Sequence, residues 1–246
     1  MTTLSVLCVL AAAVVAGRWW TRRYDALGRP RSFPYLGVGL LIVVALGIAV
    51  PTYLRHREED RLSAVASQLA GVHATVHCQT VGAELVDLGS ELGWVRWGPD
   101  GKPEHQTLIK HGPCRALRSY VASSKQQPSD NQVIAVHVLT HESMHMRGLT
   151  GEAQAECAAV QRDAMAARLL GADPSAARAL ALRYWTQMYP RLPDDYRTGE
   201  CAAGGPLDEQ LPDAPWSSSP GWARRTRRVR PRSCGRPRGG RVSPRR

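Results

Sequence analysis

Residues 36–50 read Leu-Gly-Val-Gly-Leu-Leu-Ile-Val-Val-Ala-Leu-Gly-Ile-Ala-Val, without one charged side chain. With Tyr35 and residues 51–54 the run reaches the roughly 20 residues that a bilayer requires. Hydrocarbon leaves backbone polar groups no partner but each other, so such a run must be a helix. We therefore expect a membrane span over about 35–54. A second apolar run, 4–16, is shorter, but Trp19 and Trp20 supply an interfacial belt and extend it to a span over about 3–20. As a secretory signal it is poor, because Met1-Thr2-Thr3 lacks a basic n-region. The loop 18–34 carries Arg18, Arg22, Arg23, Arg29 and Arg31 against Asp25 alone. The positive-inside rule places that loop in the cytoplasm and everything after residue 54 outside. If the first run does not span, the second acts as a signal anchor with the same orientation.

The formal net charge of +11 misleads about the remainder. Residues 223–246 contain eleven Arg and no acid, and residues 55–222 hold 16 Lys or Arg against 20 Asp or Glu. The folded part has no basic footprint, so specific nucleic-acid binding is not expected. We divide the chain into a membrane hairpin (1–54), one compact extracytoplasmic domain (55–214) and a disordered Arg-rich tail (215–246). The tail suits contact with anionic envelope polymers or the outer membrane surface. Its Arg, Pro, Gly and Ser also match what GC-rich DNA encodes out of frame. Both readings stay open. Of the six cysteines, Cys8 lies in an apolar run and Cys234 in the tail. Cys78, Cys114, Cys157 and Cys201 remain, an even set that suits two disulfides in an oxidising compartment. Pairing Cys78–Cys114 and Cys157–Cys201 joins elements adjacent in sequence; the other pairings remain open.

Within the domain, the apolar spacing predicts a helix over 58–70 stopped by Gly71, and a strand over 72–79 with His73 and His77 on one side in a structural or solvated role. A hairpin follows, 94–97 and 104–109 around the turn 99–101. Further helices are expected over 113–123, over 131–146 capped by Ser129 or Asp130, over 152–170 capped by Thr150, and over 173–189. The last buries Ala177, Leu180, Ala181, Tyr184, Trp185 and Met188. The fold class is α+β, mostly helical with a small sheet.

Chemistry concentrates in His141-Glu142-Ser143-Met144-His145. Four residues apart on a helix, His141 and His145 aim two imidazoles at one metal ion, with Glu142 beside them. Glu152 and Glu156, four apart on the next helix, return to the His pair if the short connection makes the helices antiparallel. Cys157 is rotated about 100° from Glu156 and is a weaker candidate ligand. His137, one turn before His141, reads as a packed or supporting histidine.

This pattern resembles the zincin metallopeptidases, and Glu152-x-x-x-Glu156 looks like the glutamate helix of their gluzincin branch. The resemblance implies zinc held by His141, His145 and Glu152, with Glu156 orienting a ligand histidine. It implies water activated on zinc, Glu142 as general base passing the proton to the leaving amine, and a peptide or protein of the cell envelope as substrate. It also implies that the hairpin flanks the motif helix. The departures are the short spacing between motif and glutamate helix, and Gly148 and Gly151 at metzincin positions. They leave the branch, and the choice between Glu152 and Glu156, open. The other class of reading is a membrane-tethered binding or scaffold protein with a structural metal or none.

Overall fold

The computed structural model describes residues 2–84, 87, 89 and 91–217. Helices α1 (Thr2–Thr21) and α2 (Tyr35–Ala70) form a hairpin, fastened where Ser5 Oγ donates to Ala45 O at 3.1 Å. Both are long and apolar enough to cross a membrane, and only 11% and 6% of their most apolar windows are buried. That exposure excludes two core helices; a signal sequence near the N-terminus would pass the same test.

The sequence reading separated the span from a helix over 58–70, but α2 runs through both without a break. Pro51 removes only its own N–H from the ladder, and Thr52 Oγ1 donates to Ile48 O one turn back. Leu62, Val65, Ala66 and Leu69 of the second half are buried in the core, so packing holds the helix on course past the proline. Gly71, at φ 74°, ends it in the left-handed region.

Strand β1 (Thr75–Cys78) then returns along α2. Ala74 N donates to Ser67 Oγ (2.9 Å), Val76 N to Ser63 Oγ (2.9 Å) and Cys78 N to Glu59 Oε1 (3.0 Å). Two strand residues rise about as far as four helix residues, which keeps the three bonds in step. The strand is shorter than expected because residues 71–74 make the turn.

After a short helix, α3 (Val81–Glu84), the expected hairpin forms from β2 (Gly93–Trp97) and β3 (Pro103–Ile109). The sheet order is β1-β3-β2, with β1 parallel and β2 antiparallel to β3. Helix α4 (His111–Ala122) is tied to β1 by Cys78–Cys114.

Helix α5 (Asp130–Met146) begins at a capping box between Ser129 and Gln132. The apolar side chains Val133, Ile134, Val138 and Leu139 have a one-sided helical spacing, yet every residue of 135–146 is buried. The helix is enclosed by α2, α4, the sheet and the helices that follow. Its hydroxyls turn inward on their own helix, Thr140 Oγ1 to Val136 O and Ser143 Oγ to Leu139 O.

The helix expected over 152–170 is two, α6 (Glu152–Val160) and α7 (Asp163–Leu169), and Gly151 rather than Thr150 occupies the N-cap. Arg162, at φ −112° and ψ −3°, makes the break. Gln161 Nε2 donates to Leu207 O at 2.9 Å and Arg162 grips both carboxylate oxygens of Glu209, so contacts with a distant segment outweigh helix continuation. Helix α8 (Pro174–Arg183), capped by Asp173, passes at Tyr184 into a π-helical turn (Tyr184–Met188). Two 3-10 turns follow, Tyr189–Arg191 and Asp194–Tyr196.

The remaining chain is irregular but fastened by Cys157–Cys201. Both disulfides therefore carry the pairing favoured from the sequence. Packing continues past residue 214, since Trp216 sits edge-on to Trp185 at 5.0 Å between ring centroids. Residues 218–246, most of the expected tail, lie outside the described residues.

Candidate metal centre

Helix α5 carries His137, His141 and His145 on one face, and the Gly148–Gly151 connection folds α6 back so that Glu152 and Glu156 meet them. His141 Nε2 lies 3.0 Å from His145 Nε2 and 3.2 Å from Glu152 Oε2, and His145 Nε2 lies 3.3 Å from the same oxygen. The outward nitrogens fix the tautomers. His145 Nδ1 donates to Leu149 O at 2.7 Å, and His141 Nδ1 donates to Glu156 Oε2 at 3.0 Å. With Nδ1 of each ring so engaged, Nε2 of both rings and a carboxylate oxygen converge on one point, where the charge is balanced by a proton on His141 Nε2 or by a metal ion in its place. The three edges also match the roughly 3.3 Å between ligand atoms on one face of a tetrahedron with zinc-type bond lengths. The donor set thus fits a metal ion of that kind.

A second group of possible metal ligands is His137, His141 and Glu156. Its atoms are already engaged. His137 donates from Nδ1 to Asp163 Oδ2 and from Nε2 to Glu156 Oε2, both at 2.9 Å. Burial opposes charge on His137, but the two carboxylates outweigh it and hold its pKa up at about 10. Tyr184 stacks on the His137 ring, centroids 3.6 Å apart, and donates its hydroxyl to Glu156 Oε1 at 2.9 Å. Burial raises Glu156, yet the charge and hydrogen bond of His137 and the bond from His141 carry it well below the usual carboxylate range. This network supports His141 from behind, with Asp163 Oδ1 its one buried oxygen left without a hydrogen-bond partner.

Charge across the triangle is shared unevenly. Burial resists a proton on His141, while Glu152 and Glu156 raise its pKa to about 9. Burial and the neighbouring His141 lower His145. Hydrogen bonding from His141 lowers Glu152, whose side chain is 41% exposed and gives the triangle access to solvent.

Glu142 lies under the sheet and lines the same cleft as His141. Burial pushes its carboxyl up to about 7. Thr107 Oγ1 of β3 lies 3.5 Å from its Oε2. A Cβ on Gly93 would stand 3.2 Å from Glu142 Cγ, so a side chain there would have to push Glu142 aside by a few tenths of an ångström. A cleft of about 720 Å³ opens over His141, Glu142 and Glu156, walled by Leu92, Ile134, Val138 and Met188. Tyr196 forms part of the rim, its ring 5.8 Å from that of His141.

The structure thus brings His141, His145 and Glu152 together and sets Glu156 on His141, while Glu142 lines the cleft next to His141. Cys157 is in a disulfide, and His73 and His77 lie outside both groups among the described residues. Sequence reasoning missed Asp163, Tyr184, Thr107 and Gly93. Only Asp163 left a trace, seven residues after Glu156 and so near the same helix face. No protein-family model, no curated protein and no solved structure matches the chain.

Proposed function

We propose that this protein is a membrane-anchored zinc peptidase with its catalytic domain on the extracytoplasmic side. The observation that carries the reading is the convergence of His141 Nε2, His145 Nε2 and Glu152 Oε2 within 3.3 Å of one another beside a carboxyl held near neutrality. His141, His145 and Glu152 are the ligands, and Glu152, half exposed, leaves one side of the triangle open. Bound there, zinc would supply a Lewis acid that makes water more acidic and steadies charge on a carbonyl oxygen. Glu142 takes the proton of the attacking water and returns it to the leaving amine. A carboxyl held at about 7 by burial serves both transfers at neutral pH. Glu156 holds His141 in its tautomer and orientation through Nδ1, backed by His137, Asp163 and Tyr184. The substrate is a peptide or protein of the envelope, lying along the apolar wall of the cleft.

The extracytoplasmic placement is supported by the arginines between the two apolar helices and by the two disulfides. Metal analysis of the full chain purified without chelator should give about one zinc per chain. Loss of that zinc in His141→Ala, with peptide hydrolysis lost in Glu142→Gln, is the expected pair of results. Zinc absent from the wild type, or retained by a His141→Ala, His145→Ala double variant, would overturn the site.

A further inference from the structure

We propose that the cleft acts on polypeptides anchored in the same membrane as the protein itself, at bonds close to the bilayer surface. The inference rests on the peptidase reading and on α2 crossing the membrane; what it adds is the height and facing of the site.

Helix α2 is at once anchor and core element, with no linker between the two parts. It therefore sets the height of the domain as a rod would. The apolar stretch ends near Leu54. The three bonds from β1 to α2 run Ala74 to Ser67, Val76 to Ser63 and Cys78 to Glu59, so the strand descends toward the membrane along the helix. Its lower end, Cys78, lies level with Glu59, five residues above Leu54 and so about 8 Å along the axis.

The sheet carries that level across to the site. Parallel pairing sets Ile109 beside Cys78, and antiparallel pairing sets Gly93 opposite Ile109. Gly93 is where Glu142 packs. Glu142 and the cleft wall at Leu92 thus belong to the membrane-facing end of the domain, while the Asp100–Gly101 turn belongs to the far end. Headgroups occupy roughly 5–8 Å on each side of the hydrocarbon, which places Glu142 at about their outer limit. Charge agrees with this placement. Arg57 is exposed just above the span, and Arg115 is exposed on α4, whose Arg118 pairs with Glu58 at the same level. Arg57 and Arg115 suit anionic headgroups, while Glu91 and Asp195 line the cleft itself. A chain emerging from the bilayer passes the cleft at this height, whereas a freely diffusing protein must press into the headgroup layer to reach it.

The test reconstitutes the full chain in vesicles of phosphatidylglycerol and phosphatidylcholine with two reporters. Each is one apolar anchor helix bearing the insulin B chain as the segment to be cut. In one reporter the segment follows the anchor directly. In the other, about 20 residues of Glu-Ala-Ala-Ala-Lys helix hold it about 30 Å away. Both reporters share the tether, so their ratio reads height alone. We expect the near reporter to be cut at least about tenfold faster, since only its bonds share the volume of the cleft. Equal rates, or a faster far reporter, overturn the inference. If neither is cut, the peptidase reading fails and the substrate class falls with it. A second measurement separates that failure from a wrong orientation. A dye on Glu91→Cys should be quenched by headgroup-labelled lipid more strongly than one on Asp100→Cys, each in a Cys8→Ser, Cys234→Ser background. Weaker or equal quenching at 91 refutes the facing of the cleft whatever the hydrolysis shows.

Discussion

Each histidine of the triangle is held by its outer nitrogen, His145 by Leu149 O and His141 by Glu156, so that a metal ion between the inner nitrogens and Glu152 would replace the proton His141 shares with that carboxylate. From this geometry Glu152 and Glu156 are expected to differ. Glu152→Gln removes a charge aimed at the metal and should strip it. Glu156→Gln leaves the triangle intact and should weaken zinc affinity about 10–100-fold, as loss of a carboxylate behind a ligand histidine does. Zinc titration of the two variants distinguishes them, and the opposite order would invert the ligand assignment. Glu142→Gln should keep the metal and lose roughly 10²–10⁴ in hydrolysis, since the amide cannot accept the proton. Burial raises Glu142 to about 7, so its basic form gains as pH rises and activity should climb through that value. The Thr107 hydroxyl opposes that shift. Thr107→Val should therefore move the acid limb of the pH–rate profile slightly to higher pH, since the hydroxyl shares its hydrogen with Trp94 O; an acid limb that persists in Glu142→Gln would remove Glu142 from that role. The five residues of the site were legible because helical spacing and a short connection determine which side chains meet. Thr107 and Gly93 were not legible, because they reach Glu142 from strands paired far away in sequence.

At the scale of elements, the sequence shows local determinants and hides distant ones. The Ser129 cap of α5 and the stop at Gly71 are local, and both were among the expectations, whereas the reciprocal bond from Gln132 that completes the capping box was not. The break between α6 and α7 depends on Leu207 and Glu209, 46 and 47 residues from their partners, and periodicity over 152–170 gives no sign of it. Yet the break turns Asp163 onto His137, so the clasp that causes it also builds the support of the metal centre. Two variants test the clasp. Cys157–Cys201 closes a 44-residue separation, and chain entropy alone assigns its loss about 4 kcal/mol. Cys157→Ser with Cys201→Ser should lower the thermal midpoint accordingly. The Arg162 hydrogen bond depresses Glu209 below its ordinary 4.5. A carboxyl lowered on folding contributes stability that is present above its unfolded value and lost as pH falls through the folded one. Wild type should therefore melt above Glu209→Gln at pH 7, and the gap should close as the pH falls below about 4. A gap that stays constant into acid would show that Arg162 gains nothing from the charge.

For the molecule as a whole, charge and hydropathy place the two apolar helices and the direction of the chain, but they do not show that anchor and domain share one helix. Pro51 reads locally as a boundary, and only the burial of Leu62 to Leu69 against β1 and α5 carries the helix past it. The continuity joins two questions that are separate for a tethered domain on a linker, namely which side the domain occupies and how close it lies. The proposed side rests on Arg18, Arg22, Arg23, Arg29 and Arg31, which do not cross readily, and on two disulfides, which are rare where thiols are kept reduced. The expected result in intact cells is that a membrane-impermeant thiol reagent fails to modify Cys78, Cys114, Cys157 and Cys201 until a reductant is added. An export-dependent reporter fused after Ser217 should be active. Replacing the five loop arginines by Gln should erode that activity, because the bias that orients the hairpin is removed while both spans remain. Labelling of all four cysteines without reductant, or a reporter silent in the wild type, would put the domain in the cytoplasm. The metal triangle would survive that outcome, but an envelope substrate would not.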